Sequence, residues 1–211
     1  MGEFMIQDGQ TVVFAGDSIT DCGRRAQSAP YGAGYVQAAI SLITARYPER
    51  NISYVNAGIG GNTVEDLRNR WHDDVLFHDP DWVTILTGIN DLHRSGDAAI
   101  PPDKYERLYR EILELTINQA GASVVLLDPF YISTDTDTGS HRSRVLAALP
   151  DYIAVVGKLA SEYGLHHVPM HDRYMEQLKH RPAETFCPEP VHPGPAGHLV
   201  MAVELLTVLG W

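Results

Sequence analysis

Four short runs of apolar, largely β-branched residues punctuate the chain at wide spacing, at 11–15, 52–57, 82–87 and 123–127, with a weaker fifth around 165–168. Each is continuously apolar rather than alternating, the pattern of a strand buried on both faces. Between them lie stretches with helical periodicity. Residues 35–47 are apolar on most faces and stop at Pro48. Residues 103–118 carry Tyr105, Leu108, Tyr109, Ile112, Leu115 and Thr116 on one stripe, with Gly121 just past the end. The segments 144–163 and 196–209 read the same way. Such alternation predicts a central, mostly five-stranded parallel sheet, and right-handed crossovers then give a three-layer α/β/α sandwich. In sheets of this kind, sites lie beyond the carboxyl ends of the strands.

With 211 residues and no long Gly/Ser linker, repeat or low-complexity tract, the chain fits one compact domain. A chain of this size buries about 70% of its extended surface on folding. Met1-Gly2-Glu3-Phe4 precede a second methionine, and Glu-Phe is what a common cloning site encodes. Residues 1–4 are therefore set aside as cloning-derived, leaving 5–211 as the domain. Sixteen Lys and Arg against 27 Asp and Glu give a formal charge of −11. That surface repels polyanions, so neither nucleic acid nor membrane is expected as a partner. No apolar run approaches the roughly 20 residues of a membrane span. Nor does the N-terminus show a basic stretch, apolar core and small-residue cleavage site, so the expectation is a cytoplasmic protein. Cys22 and Cys187 form no disulfide framework and read as free thiols.

The first three strands each end in a polar, glycine-containing turn: Gly16-Asp17-Ser18-Ile19-Thr20, then Asn56 to Thr63 with Gly58, Gly60 and Gly61, then Gly88-Ile89-Asn90-Asp91. Near the C-terminus, Glu189-Pro190-Val191-His192-Pro193 precedes a helix that Pro195 could open. Acyl transfer needs a nucleophile, a base, an acid that orients it, and donors for the oxyanion. Ser18 sits where a strand gives way to a helix-like turn, leaving its Oγ exposed and its N–H free. Gly61 lets a backbone N–H approach a substrate closely. Asn90 brings an amide donor that does not titrate. His192 is the base candidate, and Glu189 could accept from its Nδ1–H.

Singly, each of these has a plainer reading: Ser18 or Asp91 as a helix cap, the glycines as a tight turn, His192 as one surface histidine among ten. Their joint occurrence, in strand order at one sheet edge, favours catalysis. Other clusters carry less. His166, His167, His171 and Asp172 meet no zinc-site spacing, so no metal is expected. Trp71 is a secondary candidate for stacking on a sugar ring, with Asp17 and Asp91 as supporting residues. Asp73, Asp74 and Asp79 read as a solvated face.

At these residues the chain resembles the SGNH (GDSL) hydrolases, whose four blocks correspond to Gly16-Asp17-Ser18, Gly61, Asn90 and His192, in order, across nearly the whole chain. The resemblance implies the flavodoxin-like fold of that superfamily, with Ser18 as nucleophile and His192 as base. It also implies an oxyanion hole formed by the Ser18 and Gly61 N–H groups and the Asn90 side chain, with no cofactor. Longer strings are similar to the intracellular bacterial acetyl xylan esterases of the superfamily: Gly16 to Arg24, Gly61-Asn62-Thr63-Val64 with Arg70-Trp71, Pro129-Phe130-Tyr131-Ile132, and Val191-His192-Pro193 with Ala196-Gly197-His198. One departure stands out, because the family usually has Asp where this chain has Glu189.

The expected activity is thus removal of acetyl groups from a small acetylated carbohydrate, by a chain that assembles as a homo-oligomer. The rivals are the same chemistry on another short acyl ester, lysophospholipid or thioester, and a non-catalytic carbohydrate-binding relative.

Overall fold

The computed structural model describes residues 3–94 and 99–211. Five strands, β1 (Thr11–Gly16), β2 (Ser53–Gly58), β3 (Trp82–Leu86), β4 (Ser123–Leu127) and β5 (His166–Val168), form one sheet in the order β2-β1-β3-β4-β5. All neighbours are parallel, as the continuously apolar runs predict. Successive side chains feed two separate cores. Val12 and Phe14 of β1, Trp82 and Leu86 of β3, and Val125 and Leu127 of β4 face one layer. Val13 and Ala15, Val83 and Ile85, and Val124 and Leu126 face the other. A period of two combined with helices on both sides explains why these runs have no polar alternation.

The first layer holds α2 (Tyr35–Arg46), α7 (Met170–Leu178) and α8 (Pro195–Val208). The second holds α3 (Val64–Asp74), α5 (Pro102–Leu115) and the C-terminal part of α6 (His141–Tyr163), whose Val145 and Leu149 belong to the first. Two short helical turns, α1 (Ser18–Asp21) and α4 (Ile89–His93), follow β1 and β3. The α5 pattern runs on through a π-helical segment, Thr116–Ala120, and ends at Gly121 with φ of 67°. Helix α6 starts earlier than the periodicity indicates, because Ser140 caps it by accepting from the Ser143 N–H at 3.0 Å.

Two of the four residues set aside at the N-terminus, Glu3 and Phe4, belong to the described structure. Met1 and Gly2 lie outside the described residues, but Phe4 is buried, stacks on Tyr47 with ring centroids 4.9 Å apart, and belongs to the first core. The Met5 N–H donates to Leu209 O at 3.0 Å, fastening this segment to the end of α8. Packing of the domain therefore begins at Phe4.

Candidate active site

All four sequence blocks meet at the carboxyl edge of the sheet. At the end of β1, Gly16 approaches its surroundings so closely that a Cβ would lie 2.2 Å from Thr20 Oγ1 and 2.7 Å from Leu86 O. Only glycine lets the chain turn there. Asp17 caps the α1 turn, accepting from the Ile19 N–H at 2.9 Å, and this turn presents Ser18 at the surface. The Ser18 Oγ lies 2.8 Å from His192 Nε2.

His192 sits in the loop before α8. Its Nδ1 contacts Glu189 Oε1 in a short hydrogen bond. A carboxylate can only accept here, so the hydrogen is on Nδ1 and Nε2 is left to receive the Ser18 proton. Glu189 also accepts from the backbone N–H of His192 at 2.8 Å and of Val191 at 3.0 Å. Burial works against its charged form, but the two amides and the imidazole outweigh it, and the carboxyl pKa is lowered. The longer side chain is thus accommodated by curling back over its own loop. The loop is tied to the body through Ile132 N–H to Pro190 O (2.8 Å) and Gly194 N–H to Phe186 O (2.7 Å).

The oxyanion donors come from three elements. Gly61 has φ of 80°, in the left-handed region, with open space where a Cβ would be. Its glycine is required by conformation rather than by crowding. Among the described residues, neither the Ser18 nor the Gly61 N–H finds a protein acceptor. The Asn90 amide gives one hydrogen to Asn62 O at 2.9 Å. Its other contact, to Asp17 Oδ2, is long at 3.4 Å. The second hydrogen is therefore weakly held and free to turn toward a developing charge.

Asp17 and Asp91 support this cradle from below. Both are buried, and burial pushes Asp17 up to about 6 and Asp91 up to about 7. Asp91 lies within α4 yet caps a different helix, accepting from the Val64 N–H at the start of α3 (3.0 Å). Together with the Asn90–Asn62 bond, it clamps the turn carrying Gly61 to the turn carrying Asn90. Thr63 and Asp66 complete a capping box at the same helix end.

Trp71 takes no part in the site, contrary to its secondary candidacy. It is 1% exposed and donates from Nε1 to Thr116 Oγ1 at 3.0 Å, deep in the second core. Its neighbour Arg70 is the residue of that pair that reaches the site. The Arg70 guanidinium donates to Ala57 O (2.7 Å), Gly16 O (3.1 Å), Asn62 Oδ1 (2.7 Å) and Asp74 (2.7 Å). One side chain thus ties the ends of β1 and β2 to the Gly61 turn. His198 is a second positioning residue. Its Nδ1 accepts from the Tyr35 N–H at 3.2 Å, so its Nε2–H faces Cys22 Sγ at 3.6 Å, and burial pushes its pKa down to about 4.

The histidines of the cluster have separate partners. His167 pairs with buried Asp128 at 2.6 Å, while His166 tilts against Trp82. Asp128 raises the His167 pKa by hydrogen bonding, and burial raises that of Asp128 in turn. No group of three or more His, Cys, Asp or Glu side chains among the described residues is placed to hold a metal ion. Cys22 and Cys187 are both free thiols.

A hydroxyl bonded to a carboxylate-oriented imidazole, beside three convergent donors, is an arrangement for acyl transfer. Residues 14–200 match the GDSL-like lipase/acylhydrolase family. The chain belongs to that family. An acetylxylan esterase from Geobacillus stearothermophilus is 35% identical over 217 residues, spanning 98% of this chain and 96% of that enzyme. The crystal structure of Axe2, an acetylxylan esterase from the same organism, matches with a TM-score of 0.88 at 35% identity, covering 98% of this chain and 97% of that one. LAE5, an alpha/beta hydrolase enzyme from the metagenome of Lake Arreo, matches at 0.87 and 30% identity, covering 99% and 98%. This member of the GDSL-like family is an esterase with the α/β fold of those structures.

Proposed function

We propose that this esterase is a serine carbohydrate esterase, removing acetyl groups from acetylated xylo-oligosaccharides or closely related sugars. The hydrogen-bonded chain from Ser18 through His192 to Glu189 carries the catalytic reading. The substrate class is supported by similarity to Axe2 over nearly the whole chain. A shallow recess of about 300 Å³ beside Ser18, walled by Asp21, Cys22, Gly23, Arg25, Ala26 and Gly60, has room for a short acyl group. It lies at the lower end of the roughly 300–1,000 Å³ range of small-molecule sites.

In this reading Ser18 Oγ attacks the acetyl carbonyl carbon while His192 Nε2 takes its proton. The carbonyl oxygen becomes an oxyanion held by the Ser18 and Gly61 N–H groups and the Asn90 amide. Collapse of this intermediate breaks the carbon–oxygen bond to the sugar, and His192 returns the proton to the departing sugar oxygen. Water then attacks the acetyl-enzyme, giving its proton to His192. A second collapse releases acetic acid and restores the Ser18 hydroxyl. Glu189 holds the imidazole in the required tautomer and stabilises its protonated form.

The test is acetate release from peracetylated xylobiose, beside p-nitrophenyl esters of rising chain length. Acetyl should be preferred over butyryl and longer acyl groups. A higher kcat/KM on octanoyl than on acetyl esters would overturn this reading in favour of a lipid substrate.

A further inference from the structure

A second cavity, of about 330 Å³, adjoins the site through Glu189, which forms part of its wall. The rest of the lining comes from the segment after β4, the first turn of α6 and the loop before Glu189. Its polar groups are of mixed sign. Asp135 and Glu184 present acceptors, whereas Arg142 presents a guanidinium with up to five donors. Asp135 is held in place by the Asp137 N–H at 2.9 Å and the Ser140 hydroxyl at 2.7 Å. Among the described residues, the Arg142 and Glu184 side chains make no ion pair and no hydrogen bond with protein. Pro182 and Pro188 supply apolar surface.

This lining selects by charge. The carboxylates of Asp135, Glu184 and Glu189 repel an anion, and the one guanidinium among them, Arg142, offers hydrogen-bond donors that a cation would leave unused. A neutral polyol suits both signs, since its hydroxyls donate to the carboxylates and accept from the guanidinium. The C–H face of its ring can rest on the prolines. The volume accommodates one sugar ring rather than a long segment.

We propose that this cavity is the subsite for the sugar unit next to the one being deacetylated, with Arg142 and Glu184 as specificity residues. The inference rests on the carbohydrate reading above. It also gives a role to the exposure of Glu189, whose side chain is 46% accessible. A sugar seated in the cavity covers that carboxylate and strips water from its bond to His192, which strengthens the bond in a drier surrounding.

The experiment compares kcat/KM on monoacetylated xylobiose, whose neighbouring ring keeps its free hydroxyls, and on phenyl acetate for the wild type, Arg142→Ala and Glu184→Gln. Both substrates need Ser18, but only the disaccharide reaches the cavity. The ratio of disaccharide to phenyl acetate activity should fall roughly 10- to 100-fold in each variant, the size of a lost hydrogen bond to a charged group. A ratio constant within about twofold, the spread of independent substitutions, would overturn the proposal. An equal fall on both substrates would overturn it too, because that is the mark of a disturbed Glu189 rather than a lost sugar contact. If the wild type cleaves phenyl acetate but releases nothing from the disaccharide, the carbohydrate reading fails first and the subsite with it.

Discussion

The two halves of the site are built by opposite means. The oxyanion side is interlocked by buried and half-buried groups far apart in sequence: Asp91 reaches Val64, Asn90 reaches Asn62, and Arg70 reaches Gly16 and Ala57. The acid–base side is assembled within a few residues of one loop, where Glu189 binds the amides of Val191 and His192 as well as the ring. There the His192 and Glu189 side chains remain 54% and 46% exposed. Donors that must be aimed to a fraction of an ångström are held by the fold itself. An orienting acid needs only to reach one nitrogen, so a local loop can absorb the change from Asp to Glu.

Ser18→Ala should have the largest effect, lowering kcat by at least about 10⁴-fold with little change in Tm, since it removes the reacting group and no core contact. Steady-state acetate release together with thermal unfolding checks both parts. Next comes Asn90→Ala, which should cost about 10²–10³ in kcat, with KM nearly unchanged, because its donor serves a charge present only in the transition state. A pure KM effect would make Asn90 a ground-state contact instead.

Glu189→Gln should lower kcat by about 100-fold, less than the 10⁴ known for the matching change in serine proteases, and shift Tm by no more than about 2 °C. Glu189→Asp should lose less than Gln, because it keeps the charge. Full activity in the Gln variant would reduce the site to a Ser18–His192 dyad. Asp91→Ala should show the opposite balance. Loss of the α3 cap, worth about 0.5–2 kcal/mol, should lower Tm by roughly 2–6 °C, with about a tenfold loss in kcat as the Gly61 and Asn90 turns separate. If Glu189 variants unfold earlier and Asp91 variants do not, the division into interlocked and local halves is wrong.

The last effect expected is on the pH dependence of stability. Burial raises Asp17 to about 6 and Asp91 to about 7, above the ordinary aspartate value of 3.8. The folded chain therefore keeps protons that the unfolded chain gives up near pH 4. This contribution to stability is present in full below that pH and is lost as the pH rises through about 6 and 7. Asp91→Asn removes the Asp91 part, so its Tm relative to wild type should rise between pH 5 and pH 8. A difference that stays constant with pH would contradict an ionisable cap at this position.

Much of this was legible in the residues, and the gaps have physical causes. Continuous apolar runs disclosed four strands, because burial on both faces leaves no polar alternation to confuse the pattern. The site residues stood out because each strand end combines glycine with a polar side chain. Helices α3 and α7 were less visible. In α3 only Val64, Leu67 and Trp71 face the core, and its clearest mark is the capping pair Thr63 and Asp66. Trp71 was misread for a related reason. Proximity in sequence to Gly61 does not disclose which side of a helix faces the sheet, and one position separates buried Trp71 from site-facing Arg70. The Asp91–Val64 clamp spans 27 residues and exists only once β2 and β3 both flank β1.

The most direct test is to rapid-quench the wild-type enzyme during turnover of peracetylated xylobiose and map acetylated residues by peptide mass spectrometry. One acetyl group should be found on Ser18 and should be absent from Ser18→Ala. Turnover of the disaccharide with the acetyl group on another residue, or with none trapped on Ser18 at any quench time while deacylation is slowed in heavy water, would contradict the acetyl-enzyme mechanism.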